Sequence, residues 1–185
     1  IVPVICHLCN LSLQSSYLPS SQKHAIVNPR LKKPTLDPEQ MSSYRPISNL
    51  SFVSKVVERV VAKRFMAHCD SQDLLPSRQS AYRRGHSTET AVLAAHNDLI
   101  CAIDRGHVTG LVLLDLSSAF DTVDHSLLMS ILQRRFGVSG AALDWFQSYI
   151  TDRSQSFRCQ EISTEPQNLA CGVPQGSVLG PLKFI

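Results

Sequence analysis

The stretch L-V-L-L-D-L-S-S-A-F-D-T-V-D-H, residues 111 to 125, is the most informative part of the chain. Its first part, Leu111 to Leu114, is a continuous apolar run, which predicts a strand buried on both faces. The strand leads directly into Asp115, and a turn of small residues with one aromatic, Phe120, follows. A carboxylate fixed at a strand end suits a metal site for phosphoryl transfer. The same aspartate could instead cap a turn or a helix.

Helical patterns lie on both sides of that run. The segment Ser54 to Cys69 has valines and Phe65 on one face and basic side chains largely on the other. Another helix opens at Ser87 or Thr88, has Glu89 in its first turn, and ends at Gly106. Its predicted buried stripe comprises Val92, Ala95, Leu99 and Ala102/Ile103. The other predicted helices are Val4 to Leu18, Ser126 to Phe136 and Ser139 to Ile150.

The predicted strands are short and separated by polar segments. In addition to Leu111 to Leu114, the predicted strands are Ala25 to Val27, Ser156 to Ile162 and Asn168 to Val173. Two long loops are expected at Asn28 to Pro38 and Asp70 to His86. Because helices and strands do not alternate as in βαβ units, the pattern indicates an α+β fold.

Charge is distributed unevenly along the 185 residues, whose net charge is +3. Between Lys23 and Arg84 there are twelve basic and five acidic side chains, a net charge of +7, which leaves −4 for the remainder. A basic front half and an acidic back half suit a protein that holds polyphosphate with one part and metal cations with the other. The alternative is ordinary solvated helix faces.

The six cysteines are scattered, which argues against a disulfide framework and for a reducing compartment. Cys6 and Cys9 form a lone C-x-x-C, for which a structural role is favoured over zinc binding because a second ligand pair at finger-like spacing is lacking. No apolar run approaches the roughly 18 residues that span a bilayer, so no membrane partner is expected. Since the sequence begins at Ile1 and stops inside an apolar run, we expect a piece of a longer polypeptide.

Four segments resemble, in order, the motif series of reverse transcriptases from non-LTR retrotransposons, the LINE-like group near the Jockey and chicken-repeat clades. The first is Y-R-P-I-S-N-L-S-F-V-S-K-V-V-E-R, residues 44 to 59, and the second is Q-S-A-Y-R-R-G-H-S-T-E-T-A, residues 79 to 91. The third is L-L-D-L-S-S-A-F-D-T-V-D-H, residues 113 to 125, and the fourth is G-V-P-Q-G-S-V-L-G-P, residues 172 to 181. Ala81 and Tyr82 depart from the glycine and phenylalanine that are usual in the second motif.

The resemblance implies the fingers and partial palm of a right-hand polymerase, truncated before the Asp-Asp hairpin and the thumb. We expect residues 1–22 to form an N-terminal helical segment, 23–106 the fingers and 107–185 the front part of the palm. The missing hairpin would carry the other two metal-binding aspartates. The isolated chain is therefore expected to be inactive as a polymerase.

By the same resemblance, Asp115 is the catalytic aspartate of the palm and a ligand of two Mg²⁺ ions, with Mn²⁺ as a possible replacement. The backbone carbonyl of Leu116 would be a further metal ligand, since Mg²⁺ prefers oxygen. Phe120 resembles the aromatic steric gate that excludes a ribose 2′-hydroxyl; its alternative is a core phenylalanine. Asp121 is expected to organise the turn.

Further residues are assigned to nucleotide and template. Arg45 resembles the fingers arginine that grips the incoming triphosphate, where a guanidinium can make bidentate contacts. Lys32 and Lys33 are expected to help or else to be solvated loop charges. Gln175 and Gly176 resemble the segment that lies against the nucleotide and the template base, and they could also form a turn that opens a helix.

Arg83 and Arg84 would face the template backbone, where phosphate contacts add salt-dependent affinity. His86 is expected to hydrogen-bond within its own turn. The expected partners are an RNA template, a DNA primer or target, deoxynucleoside triphosphates, and the remaining polypeptide with its endonuclease, palm and thumb. A nuclear and cytoplasmic ribonucleoprotein is the expected location. The alternatives are a catalytically dead remnant that binds nucleic acid and a relic without a partner.

Overall fold

The computed structural model describes residues 1–116 and 118–182. Its helices are α1 (Val2–Gln14), α2 (Phe52–Ser71), α3 (Thr88–Asp104), α4 (His125–Arg134), α5 (Gly140–Ile150) and α6 (Leu179–Leu182). Its strands are β1 (His24–Leu31), β2 (Tyr44–Asn49), β3 (Arg153–Cys159), β4 (Ile162–Ser163) and β5 (Gln167–Leu169). This combination of helices with one mixed sheet confirms the α+β class.

The sheet is built from two separate parts of the chain. Strand β1 pairs antiparallel with β2 on one side and parallel with β3 on the other. Strand β3 also pairs antiparallel with β4 and with β5. The sheet therefore joins residues on both sides of the predicted fingers and palm boundary, whose position stays a prediction.

Strand β1 is longer than predicted, and β2 was not predicted at all. Residues 28 to 31, which the sequence predicts to be loop, continue β1 and pair with Tyr44 to Ile47 of β2. The sequence concealed this hairpin because each strand contains a proline, and Pro29 lies directly opposite Pro46. A proline is tolerated in a strand where no ladder N–H is needed. The pairing of β1 with β3 ends at Val27, and β2 is an edge strand, so both prolines meet this condition.

Helices α1, α2, α4 and α5 enclose the apolar core. Phe65 of α2 contacts Phe136 and Phe146, with ring centroids 5.4 and 5.8 Å apart. Trp145 of α5 is 2% exposed, and its indole N–H donates to Ser12 Oγ of α1 at 3.0 Å. Such aromatic contacts carry much of the packing energy of a small core.

The helix starts follow the capping rules of the sequence. Ser51 caps α2 by accepting a hydrogen bond from the backbone N–H of Ser54 at 3.0 Å. Ser87 caps α3 in a capping box with Thr90, as expected for a helix that opens at this point. The pKa of Glu89, in the first turn of α3, is lowered mainly by a hydrogen bond from the Ser87 hydroxyl.

The prediction that Leu111 to Leu114 form a strand buried on both faces is wrong. The segment 111–116 has no regular secondary structure, and its leucines are exposed, with Leu114 at 91%. An extended run becomes a buried strand only when neighbouring strands accept its hydrogen bonds and cover its side chains. No strand among the described residues pairs with it.

The predicted apolar face of α3 is also not in the core, and that of α1 is only partly in it, through Ile5, Cys9 and Leu13. Helix α3 contains no buried residue, and Val92, in its predicted stripe, is 63% exposed. In α1 the buried residues are Cys9 and Ser12, whereas Val4 and Leu11 face solvent. Apolar periodicity identifies a helix correctly but does not state whether another element is present to cover it.

Core packing predicts a large difference between two phenylalanines of α2. Phe65→Ala should lower the free energy of unfolding by about 3–5 kcal/mol, because it leaves a cavity beside the rings of Phe136 and Phe146. Phe52→Ala, at the 71% exposed first position of the same helix, should change it by less than about 0.5 kcal/mol. Urea denaturation followed by circular dichroism measures both, and equal effects would contradict this account of the core.

The exposed central run yields a second prediction. Leu114→Ala should alter the free energy of unfolding by less than about 0.5 kcal/mol, because its side chain is in solvent. A strand buried on both faces would instead lose about 2–5 kcal/mol. A loss in that higher range by the same denaturation measurement would show that the run is buried in solution.

Candidate active site

The Pro174-Gln175-Gly176 segment lies against β2. The backbone N–H of Ser48 donates to the carbonyl of Gln175 at 2.7 Å. An added Cβ on Gly176 would come within 3.0 Å of the Ser48 carbonyl oxygen, and the φ of Gly176 is +106°. Only glycine permits both this backbone conformation and this close approach. The fourth motif is thereby fixed to the strand of the first motif.

The same segment is also attached to the turn that follows Phe120. The backbone N–H of Val173 donates to the carbonyl of Phe120 at 2.7 Å, and that of Gly172 donates to Val123 at 2.8 Å. His125 Nε2 donates to the Gly172 carbonyl at 2.8 Å. Gly172 has a φ of +83°, and an added Cβ would lie 2.9 Å from the carbonyl oxygen of Asp121. The third and fourth motifs therefore meet backbone to backbone.

Phe120 is half-buried beside α6. Its Cε1 atom lies 3.4 Å from the position that a Cβ on Gly180 would occupy. Contact with α6 agrees with the core alternative, while partial exposure leaves part of the ring available to a ligand. Its role as a steric gate stays a prediction.

These three motifs border an open groove of about 850 Å³. One wall is the face of the β1–β2 hairpin that carries Pro29, Tyr44 and Pro46. The other walls come from β3, β5 and the segment 170–175, and Asp121 lies at the edge. The groove is therefore where Gln175 and the Phe120 turn face a common space.

The three aspartates of the third motif have different environments. Asp115 and Leu116 are exposed, and Asp115 makes no hydrogen bond or ion pair within residues 1–116 and 118–182. The backbone N–H of Asp121 donates to Ser118 at 2.9 Å, which closes a turn as expected. Asp124 caps α4 by accepting from Leu127 N–H at 2.8 Å. The hydrogen bond from the Ser126 hydroxyl is the main cause that lowers the pKa of Asp124, and the bond from the Leu127 N–H lowers it further.

The structure does not assemble a metal site around Asp115. Among the described residues, no group of three or more His, Cys, Asp or Glu side chains could hold a metal ion. The C-x-x-C pair is likewise divided, since Cys6 is exposed and Cys9 is buried as a free thiol. Burial, followed by the nearby Cys6, raises the pKa of Cys9.

Arg45 lies opposite Arg30 in the antiparallel ladder, and both side chains are exposed. Directly opposed residues point to the same face, and like charges in that position repel. Because side chains alternate along a strand, this face is opposite to the one that carries Tyr44 and Pro46. The sequence does not single out Arg30, because the prolines around it predict a loop in place of the strand.

The predicted lysines differ in their contacts. Lys32 Nζ donates to the carbonyl of Ser42 at 2.8 Å and so spans the base of the hairpin loop. Lys33 is exposed. The structure therefore gives Lys32 a structural contact and leaves Lys33 free to reach a ligand.

The two arginines that are predicted to face the template lie in the loop before α3. Arg83 is half-buried, and its Nη1 donates to the carbonyl of Pro76 at 3.3 Å, whereas Arg84 is exposed. His86 Nδ1 donates to the carbonyl of Arg84 at 3.1 Å, as expected for a histidine bonded within its own turn. No recorded contact joins this loop to the groove within the described part of the chain.

A buried polar cluster, which the sequence reasoning missed, lies behind the Pro-Gln-Gly segment. It consists of Glu58 of α2, Tyr149 of α5, Arg153 of β3 and Ser177 before α6. Arg153 Nη1 donates to the Tyr149 carbonyl at 2.9 Å, and its guanidinium lies 4.9 Å from the Tyr149 ring centre. Burial is the main cause that raises the pKa of Tyr149, and the negative charge of Glu58 raises this pKa further. The positive charge of Arg153 lowers it. In the sequence, the signal for this cluster is that Glu58 lies on the apolar side of the predicted helix α2.

Comparison with known proteins identifies the chain's relatives. The family described as "Reverse transcriptase (RNA-dependent DNA polymerase)" matches residues 31–185. The chain is 34% identical, over 95% of its length, to the "Probable RNA-directed DNA polymerase from transposon BS" of Drosophila melanogaster. It is 32% identical, over the same share, to the corresponding protein from transposon X-element of that species.

The chain spans about a fifth of these relatives, 19% in both cases. A type-1 retrotransposable element R2 polyprotein from Popillia japonica is 30% identical over 80% of the chain. None of the described helices is long and apolar enough to cross a membrane. Since the family match includes all of β2, the Asp115 motif and the Pro-Gln-Gly segment, the chain belongs to the reverse transcriptase (RNA-dependent DNA polymerase) family.

Proposed function

We propose that this chain supplies the fingers and front palm of an RNA-directed DNA polymerase of a non-LTR retrotransposon. The reaction would be nucleotidyl transfer to a primer 3′-hydroxyl on an RNA template. The observation that carries the proposal is that the first, third and fourth motifs meet around one groove, through Ser48, Gln175 and Phe120. Reverse transcriptases act on nucleic acids, so a groove of this kind is where a substrate is expected.

Nucleotide recognition is proposed for the β1–β2 hairpin and the adjoining segment. Arg45 and Arg30 lie on the hairpin face that points away from the groove, and they offer two guanidinium groups whose mutual repulsion a bound triphosphate would relieve there. Ile47 shares this face, and its side chain lies 3.9 Å from the position of a Cβ on Gly176. Lys33 would add charge from the hairpin loop. Gln175 and Gly176 would lie against the nucleotide base, where glycine permits close approach of the backbone.

Divalent cations are proposed to bind at Asp115 and the Leu116 carbonyl. Reverse transcriptases generally use such ions, and Mg²⁺, or Mn²⁺ in its place, takes oxygen ligands of this kind. The exposed Asp115 carboxylate makes no recorded bond to the described residues, so its oxygens are accessible. These two donors fit part of a two-ion site, and the metals would stabilise the charge that develops at phosphorus.

The remaining partners follow from the same proposal. An RNA template would lie near Arg83 and Arg84, and a DNA primer end near Asp115. The rest of a longer polypeptide would supply the Asp-Asp hairpin, the thumb and an endonuclease. A ribonucleoprotein in the cytoplasm with a nuclear site of action is the proposed location. A second candidate, a nucleic-acid-binding remnant without chemistry, is favoured only by the exposed basic residues.

Primer extension tests the polymerase proposal. In the full-length polypeptide that contains this sequence, Asp115→Asn should reduce deoxynucleotide incorporation on a primed RNA template by about 100-fold or more, because a metal-binding carboxylate is lost. Asp104→Asn, at the exposed end of α3, should leave it unchanged. The 185-residue chain alone should not extend the primer. Incorporation that is insensitive to Asp115→Asn would refute the assignment.

Salt-dependent binding tests the template side. Replacing both Arg83 and Arg84 by alanine should weaken RNA binding and lower the salt slope by roughly 1.4, since each lost phosphate contact removes about 0.7 for a single strand. The charge-matched control replaces Arg105, which is exposed just after α3, and Arg134, which is exposed at the end of α4. Fluorescence titration at two salt concentrations gives both values. Equal losses in the two variants would exclude a specific role for the loop.

A further inference from the structure

Glu58 is a carboxylate with no solvent exposure whose two oxygens contact different elements. Oε2 accepts hydrogen bonds from the backbone N–H groups of Val178 at 2.7 Å and Leu179 at 3.2 Å. Oε1 accepts a hydrogen bond from the hydroxyl of Ser54 at 3.1 Å, one turn earlier on α2. Charge-assisted bonds of this type are about twice as strong as neutral ones. Burying the charge is costly unless such bonds satisfy it.

The bonded amides directly follow the segment proposed to face the nucleotide. The backbone N–H of Ser177 donates to the Pro174 carbonyl at 3.1 Å, and Ser177 Oγ accepts from Gly180 N–H at 2.9 Å. Only two residues, Gly176 and Ser177, separate Gln175 from Val178, whose amide is the first that Glu58 binds. The other end of the attachment is Ser48, which donates to the Gln175 carbonyl. Gln175 is thus held between β2 and α2.

These two hydrogen bonds tie the segment directly to α2. Helix α6 has only four residues, so it has little intrinsic tendency to hold its own position. Its start must be fixed from outside, and Glu58 accepts from the N–H of its first residue, Leu179, and from that of the preceding Val178. If Glu58 lost its charge, the position of Gln175 would become less well defined, although the groove would remain.

We propose that Glu58 is a positioning residue for the incoming nucleotide, which acts through Val178 and Leu179 to hold Gln175 against β2. This inference rests on the proposed function of Gln175. It concerns nucleotide binding rather than the metal-dependent step, because Glu58 is buried and touches neither Asp115 nor the open groove. Loss of its charge should therefore affect the KM for nucleotide more than kcat.

The test compares Glu58→Gln with Asp70→Asn in the full-length polypeptide. Glutamine keeps the shape and one acceptor oxygen, and Asp70 is an exposed acid near the end of the same helix. Glu58→Gln should raise the KM for deoxynucleotide about tenfold, the effect of one weakened charge-assisted bond, and change kcat less than about threefold. The dissociation constant for primed RNA should stay the same. Asp70→Asn should match the wild type.

Amide hydrogen exchange gives a readout that does not depend on activity. In Glu58→Gln, exchange at Val178 and Leu179 should accelerate while the amides of α5 keep their protection. A variant whose kcat falls with KM unchanged, or whose exchange rises equally everywhere, would show a merely structural role and overturn the proposal. If Glu58→Gln does not fold, Ser54→Ala decides: it should raise the nucleotide KM in the same direction by a smaller factor, and no rise would overturn the proposal.

The outcomes separate this inference from the proposed function. A wild-type polypeptide that incorporates no nucleotide would refute the polymerase assignment and, with it, this role for Glu58. An active wild type whose nucleotide KM is unaffected by Glu58→Gln would refute only the positioning role.

Discussion

A carboxylate that has no access to water must have its oxygens bonded, because leaving a charge buried and unpaired costs several kcal/mol. Glu58 meets this requirement with backbone N–H groups from a segment 120 residues away in sequence. The N–H groups need an acceptor as much as Glu58 needs donors, because the first N–H groups of a helix have no acceptor within the helix itself. As a result, the long helix α2, the end of α5 and the Pro-Gln-Gly segment have one relative position in the folded chain.

Glycine makes the second set of contacts possible. Gly172 and Gly176 approach the backbones of Asp121 and Ser48 so closely that a Cβ would collide with a carbonyl oxygen. These contacts are made by the backbone, so they define where the motifs lie without fixing which side chains face the groove. The third and fourth motifs can therefore be held in place even though Asp115, ten residues before His125 in the same motif, is itself exposed.

The two halves of the proposed site differ in how completely the described residues build them. The nucleotide half is defined by the β1–β2 hairpin, the Gln175 segment and the cluster around Glu58. Hydrogen bonds join these three parts to one another. The metal half consists of one exposed carboxylate and one backbone carbonyl, in a segment that pairs with no strand in the described part of the chain. This difference agrees with a chain that spans 19% of the length of the transposon BS and X-element relatives.

The sequence alone determined the family, the α+β class, the long helix α2 and the capped start of α3. These features depend on motif order, apolar periodicity and local hydrogen-bond chemistry, all of which act over a few residues. Only the tertiary structure showed that β2 exists, that Leu111 to Leu114 pair with no strand of residues 1–116 and 118–182, and that Arg30 faces Arg45. Strand pairing depends on which distant segment supplies the hydrogen bonds, and burial depends on which element covers a face. Neither is written in the local sequence, and for the same reason Glu58 could be recognised only once Val178 and Leu179 had been located beside it.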